Sequence, residues 1–152
     1  MPSDHALSRF SMSLPAWALR ASGKLNVPLY RLSRGHLGGR VGRAPVLLLT
    51  STGRRSGRQR TAPVLYMRDG TNVVVIGSNA GNENEPGWSF NLKAHPEAHI
   101  EIGAQHSDVK ARVAAGAERE RLWRAMNSEY SGFDDYDART ARDIAVFVLE
   151  PR

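Results

Sequence analysis

One stretch constrains this chain more than any other: Val46 to Tyr66, which reads VLLLTSTGRRSGRQRTAPVLY. Two apolar runs, Val46 to Leu49 and Val64 to Tyr66, flank a polar loop that holds Gly53, Gly57 and the arginines Arg54, Arg55, Arg58 and Arg60. The pattern predicts two strands and a connecting turn. Guanidinium groups crowded on one short turn repel each other, so a purely structural turn gains nothing from them unless an anion sits there. Glycines let the backbone offer N–H groups to such a ligand, and arginine forks match phosphate oxygens in pairs. The competing reading is a solvated turn whose arginines only keep the protein soluble.

The 152 residues suffice for one domain with a real core, and 41% hydrophobic with 24% charged residues describes a globular chain. Cysteine is absent, which excludes a disulfide framework, a thiolate metal site and a cysteine nucleophile. No apolar run is long enough for a transmembrane helix, and Asp4, Arg9 and Arg20 interrupt any signal-peptide core, so a cytoplasmic protein is expected. The net charge of +6 is uneven: residues 1–43 carry seven basic residues against Asp4 alone, and the remainder balances. Aromatics are not interleaved with the basic residues as base-stacking platforms would be, so nucleic acid is not the expected partner.

In residues 1–37, Leu7, Phe10, Leu14, Trp17, Ala21 and Leu25 recur at helical spacing, with Pro15 marking a kink or a second start. This amphipathic arm is a candidate for peripheral membrane contact, for a lid, or for packing on its own domain. Residues 38–152 form the body. Gly35, Gly38, Gly39 and Gly42 mark the connection, without the spacing of a dinucleotide fingerprint, and Gly53 to Gly57 lacks the lysine of a P-loop.

Beyond the arginine loop, strands Pro63 to Met67 and Asn72 to Ile76 flank an Asp69-Gly70 turn, and Gly77 to Gly81 is a small-residue loop that a flat ligand could approach. Pro86 suits the start of a short helix with Trp88 and Leu92 as an apolar i,i+4 pair. Strands Ala98 to Ile102 and Asp108 to Ala114 follow, the second alternating Val109, Ala111 and Val113 with charged neighbours. Helix Ala117 to Tyr130, with Leu122 and Met126 on one face, precedes a last strand from Ile144 to Leu149 that ends before Pro151. The order predicts a mainly β, α+β domain built as a small antiparallel barrel. His95 and His99 have a helical metal-pair spacing, but Pro96 between them argues against a helix, and no metal site is expected. Tyr130, Phe133 and Tyr136 are spaced by three in a loop, either as anchors or as a lid over a planar substrate.

Three motifs in order, LLLTSTGRRSGRQRTAPVLY, GSNAG and PGWSFNLKAHPEAHIEI, resemble the deazaflavin-dependent nitroreductase and quinone reductase family, an actinobacterial group of split β-barrel oxidoreductases. The resemblance runs from about Gly38 to Pro151. It implies the split-barrel fold of the FMN-binding-like type and coenzyme F420, whose phosphodiester and acidic oligoglutamate tail would give the arginine loop its anion. Carried over, Thr52, Gly53, Arg54, Arg55, Ser56, Gly57 and Arg60 would hold phosphate and tail. Thr61, Pro63 and Leu65 would line the chromophore, with the backbone of Gly77, Ser78 and Asn79 against its ring, while Trp88, Asn91 and Leu92 match the family's W-x-x-N-L helix. Asn91 and Leu92 thus join the coenzyme set, and Trp88 with Phe133 the substrate side.

The resemblance further implies hydride transfer from reduced deazaflavin to a planar acceptor, a quinone, with hydroxyls of Ser78, Tyr130 or Tyr136 donating to the oxygen that becomes anionic. Two features depart from the pattern: Ser89 replaces a usual tyrosine and Gly87 a larger residue. Phe133 stands where the family's nitroimidazole reducer has tyrosine, which argues against nitro-drug reduction. The alternatives are an FMN-dependent oxidase on the same barrel and a non-catalytic carrier of deazaflavin or lipid. Oligomeric state is not legible.

Overall fold

The structure, a computed structural model, describes residues 27–36, 40–41, 44–77, 85–129 and 144–152. Seven strands alternate with short helices: β1 (Arg40–Val41), β2 (Ala44–Thr52), β3 (Gln59–Asp69), β4 (Asn72–Ile76), β5 (Glu97–Ile102), β6 (Gln105–Val113) and β7 (Val146–Pro151). Helix α1 covers residues 27–32, α2 is Gly87–Ala94 and α3 is Gly116–Glu129. All pairings are antiparallel, in the order β1-β2-β3-β4-β7-β6-β5. The sheet closes because β5 also pairs with β2, Leu49 opposite Ile100. Six strands thus make a split barrel, and closure removes most of the edge that an open sheet would expose.

Strand alternation gives the wall two apolar faces. Leu47, Leu49, Val64, Tyr66, Val73, Val75, Ile100, Val109, Phe147 and Leu149 fill the interior. Outside, Met67, Val74, Ile76, Val146 and Val148 pack under Leu122, Trp123 and Met126 of α3. Leu122 and Met126 are fully buried, as their spacing predicts. Arg119 of the same helix donates to the Ile144 carbonyl (2.7 Å), and Arg121 forks onto Asp69 at the β3–β4 turn (3.1 and 3.2 Å), holding that carboxyl below its usual range.

Two details of the strands differ from expectation. Val113, read on the buried face with Val109 and Ala111, is 48% exposed, while its neighbour Ala114 is buried in the cluster under α3. Pro151 stays in β7, opposite Val109, since a proline at the final strand position interrupts no further pairing, and the Arg152 N–H next to it bonds to the Asp108 carbonyl (3.1 Å).

The described end of the arm is packed on the barrel. Tyr30, 2% exposed, donates its hydroxyl to the Glu101 carbonyl (3.1 Å) and accepts from the Gly103 N–H (2.8 Å), and its burial raises the phenol's pKa. Arg31 forks onto the buried Glu101 carboxylate (3.1 to 3.3 Å). Gly35, at φ 85°, ends the segment against Gly103, where a Cβ would come within 2.9 Å of the Gly103 Cα. The predicted apolar face from Leu7 to Leu25 lies outside the described residues. No helix among the described residues is long and apolar enough to cross a membrane.

Candidate functional site

The arginine loop closes on itself between β2 and β3, which pair from Val46–Leu65 to Thr52–Gln59. Gly53 N–H donates to the Arg58 carbonyl (2.7 Å), Gly57 N–H to the Gly53 carbonyl (2.9 Å), and Arg58 N–H to the Ser56 hydroxyl (3.2 Å). Gly57 has φ 70°, and a Cβ on Gly53 would lie 2.7 Å from the Ser56 Oγ. Both glycines are therefore required by the turn itself. The result is a tight basic tip with its side chains outside.

Asn91 of α2 ties this tip to the body. Its amide oxygen accepts the Arg54 N–H (3.0 Å) and its amide nitrogen donates to the buried Ser51 hydroxyl (3.2 Å). Next to it, the Arg54 guanidinium lies 4.2 Å from the centre of the Phe90 ring, a cation–π contact. Leu92 and Trp88 face inward: Leu92 is in the core, and Trp88 packs at 60° against Phe147 (5.7 Å). Sequence reasoning placed Asn91 with the coenzyme ligands and did not foresee that both ends of its amide are engaged within the protein.

Gly77 and Ser89 explain each other. A Cβ at Gly77 would lie 3.2 Å from the Ser89 Oγ, and the wholly buried Ser89 donates to Glu85 (2.9 Å), which also pairs with Lys93 (2.8 Å). Ser89 thus fills a small space beside β4, where Gly77 leaves no room for a larger side chain.

Along β3, Thr61, Pro63 and Leu65 share the outer face, from the loop toward the apolar patch under α3, where Leu65 packs. The Thr61 hydroxyl bonds that of Thr50 on β2 (2.8 Å). Arg55, Arg58 and Arg60 are exposed, and among the described residues none has a carboxylate partner, whereas Arg31, Arg112, Arg121, Arg124 and Arg152 all do. Ser78, Asn79, Tyr130, Phe133 and Tyr136 lie outside the described residues.

Beside this strip, an open polar cleft of about 960 Å³ spans β3, β2, β5 and β6, lined by Thr50, Thr61, His99, His106 and Asp108 among others. His99 hydrogen-bonds Asp108 (2.9 Å), and this bond holds the Asp108 carboxyl below its usual range. The sequence reading tested His99 only against His95 and, with Pro96 between them, rejected that pair. The hairpin instead brings His99 to His106, a relation that the Gly103-Ala104 turn between them would have revealed had it been recognised.

A closed antiparallel split barrel, with an exposed arginine tip heading an outward strip of one strand, places the chain in the split β-barrel class. More narrowly, residues 22–151 match the model of the F420H(2)-dependent quinone reductase family, and the chain belongs to that family. It is 34% identical over 149 residues to an F420H(2)-dependent quinone reductase of Mycobacterium tuberculosis, spanning 93% of this chain and all of that protein. A second M. tuberculosis relative is 42% identical over 108 residues, 71% of this chain and 91% of its own. Among solved structures, an F420-H2-dependent reductase (FDR-A) superposes with a TM-score of 0.65 at 33% identity, covering 70% of this chain and 94% of that one. A protein solved as a domain-swapped dimer gives 0.67 at 29% identity, with 84% and 95% covered. The protein is thus an F420-dependent reductase that passes a hydride from the reduced deazaflavin to a quinone, and the FMN alternative is not needed.

Proposed function

We propose that the arginine tip and the outer face of β3 form the coenzyme site, with roles divided along the strand. Arg55, Arg58 and Arg60 bind the phosphodiester and acidic tail, while Thr52, Gly53, Ser56 and Gly57 shape the turn that presents them. The carrying observation is that these guanidiniums are exposed and lack carboxylate partners among the described residues, although five other arginines there have one. A cluster of positive charge without a counter-charge among the described residues fits a polyanionic ligand. Arg54, held against Phe90, contributes its charge from a fixed position.

Thr61, Pro63 and Leu65 lie beneath the chromophore in this reading, and Gly77, Ser78 and Asn79 bound its edge. When bound, the deazaflavin supplies the hydride; the protein orients, excludes water and meets developing charge. Ser78, Tyr130 and Tyr136 donate hydrogen bonds to the acceptor oxygen, and Phe133 with Trp88 provides apolar surface beside the quinone ring. Asn91 and Leu92 act from behind, Asn91 by fixing the Arg54 backbone and Leu92 by seating α2 in the core. In this reading the protein works in the cytoplasm, and the N-terminal arm, residues 1–37, makes peripheral contact with a membrane that carries the quinone.

Fluorescence titration with oxidised deazaflavin at low and high salt tests the assignment. Arg55→Ala and Arg60→Ala should each weaken binding by about tenfold, the size of one charge-assisted contact, and the difference should shrink as salt screens it. Unchanged curves for both variants at both salt concentrations would remove the arginine tip from the site.

A further inference from the structure

Two histidines on the outer wall of the barrel have no part in the coenzyme reading, and their surroundings are specific. His99 on β5 stands opposite Asp108, and His106 on β6 opposite Glu101, so the two imidazoles are diagonal neighbours on one face of the hairpin. Their ring centres are 5.3 Å apart, and the His99 Nε2 lies 3.1 Å from the His106 Nδ1. The far nitrogens both face carboxylates: His99 Nδ1 to Asp108 at 2.9 Å, and His106 Nε2 to Glu101 at 3.7 Å. We propose that His99 and His106 form a two-histidine site for a borderline divalent transition-metal ion, of the zinc(II), nickel(II) or copper(II) class.

The spacing suits such an ion. Two imidazole nitrogens at metal distances of about 2.0–2.1 Å stand roughly 3.3 Å apart in a tetrahedral shell and about 2.9 Å apart as cis ligands in a square plane. The observed 3.1 Å falls between them. Imidazole is the ligand type this class of ion takes, and a carboxylate behind each ligating ring fixes the tautomer and raises its basicity.

The two rings are now joined by a hydrogen bond between His99 Nε2 and His106 Nδ1. A metal ion would take the lone pairs of these same two nitrogens, while the far nitrogens keep their carboxylates, His99 Nδ1 to Asp108 and His106 Nε2 toward Glu101.

Glu101 is well placed for the supporting role. Its carboxylate is 5% exposed and held by Arg31, so it cannot swing away from His106. Glu101 offsets the charge of Arg31 in the cleft, which Arg34 and Asp108 also line. Among the described residues no group of three or more His, Asp or Glu could hold a metal ion, so the protein supplies two donors here and water the rest. His99 and His106, 36% and 57% exposed, leave room for those waters.

The test uses the full chain, stripped with chelator and titrated with copper(II) and with zinc(II), reading calorimetry and the copper electron paramagnetic resonance spectrum. One ion should bind saturably, with hyperfine coupling to two imidazole nitrogens. His99→Gln and His106→Gln should each lose at least about tenfold in affinity, and Asp108→Asn about 10–100-fold through the ligand it supports. Unaltered deazaflavin titration in these variants would confirm that they are folded and that the two sites are separate. Absence of saturable binding in the parent protein, or a spectrum without two-nitrogen coupling, would overturn the proposal. So would full affinity in the His99→Gln, His106→Gln double variant, which would put the ion elsewhere.

Discussion

Replacing Asn91 by alanine separates a residue that holds the arginine tip from one that touches the coenzyme. The substitution removes an acceptor 3.0 Å from the Arg54 N–H and a donor 3.2 Å from the Ser51 hydroxyl. Ser51 is 1% exposed and loses this partner where little water can reach it, whereas the Arg54 N–H sits nearer solvent. A buried polar group left unmade costs about 1–3 kcal/mol, so a total of ~2 kcal/mol is expected once water recovers part of the Arg54 bond. For a chain of this size that corresponds to a fall of about 4–8 °C in Tm. The loop's internal bonds at Gly53 and Gly57 survive, so the fold should persist while the tip gains freedom. Coenzyme affinity should then drop by about tenfold, ~1.4 kcal/mol of lost preorganisation. Ser51→Ala, which keeps the Asn91 acceptor on Arg54, should be milder, changing affinity by no more than about twofold, and the double variant completes the cycle. Thermal unfolding followed by circular dichroism, with fluorescence titration on the same samples, reads both quantities. If Asn91→Ala abolishes coenzyme binding with Tm unmoved, the amide contacts the ligand directly and the bracing argument is wrong.

Three further outcomes bear on the arm and on the acceptor. Tyr30→Phe strips the Gly103 N–H and the Glu101 carbonyl of their shared partner and should cost about 1–3 kcal/mol in urea unfolding; a loss under about 0.5 kcal/mol would mean that the arm's end adds nothing to the barrel. Deleting residues 1–26, so that the docked helix from Val27 is kept, should abolish sedimentation with anionic liposomes and spare deazaflavin binding; equal sedimentation of both forms would take the arm off the membrane. Phe133→Tyr adds a donor for developing charge and should raise bicyclic nitroimidazole reduction more than menadione reduction in stopped-flow oxidation of the reduced coenzyme, and parallel changes would show that position 133 does not choose the acceptor.

The antiparallel barrel and most of its strands were legible because those strands announce themselves locally, through β-branched runs and turns such as Asp69-Gly70. The basic tip was legible for the same reason, since Gly53 to Arg60 is contiguous. What the chain could not disclose were relations between distant residues. Asn91 meets Ser51 and Arg54 only because α2 lies across the end of β2, and Ser89 is small only because Gly77 comes beside it. Val113 alternates correctly with Val109 and Ala111, yet the pattern does not say that its neighbour Ala114 is the residue covered. His99 and His106 stayed apart in the reading because the Gly103-Ala104 turn that brings them onto one hairpin was not recognised.

The β2–β3 hairpin joins two demands that a hydride-transfer site makes at once. One is a rigid surface, because the reacting atoms must be held within a fraction of an ångström. The other is a strong positive field, which a packed apolar interior cannot hold. Period-two alternation resolves the conflict on a single strand: Ala62, Val64 and Tyr66 bind β3 into the interior, while Thr61, Pro63 and Leu65 face outward from the same backbone. The guanidiniums that could not be buried are gathered at the turn, where Gly53 and Gly57 allow a tip tight enough to move with the strands. In the proposed site, binding energy collected by the arginines on a remote, non-reacting tail would be delivered through a stiff hairpin to the ring, which is how distant contacts can raise the rate of a chemical step rather than only the affinity.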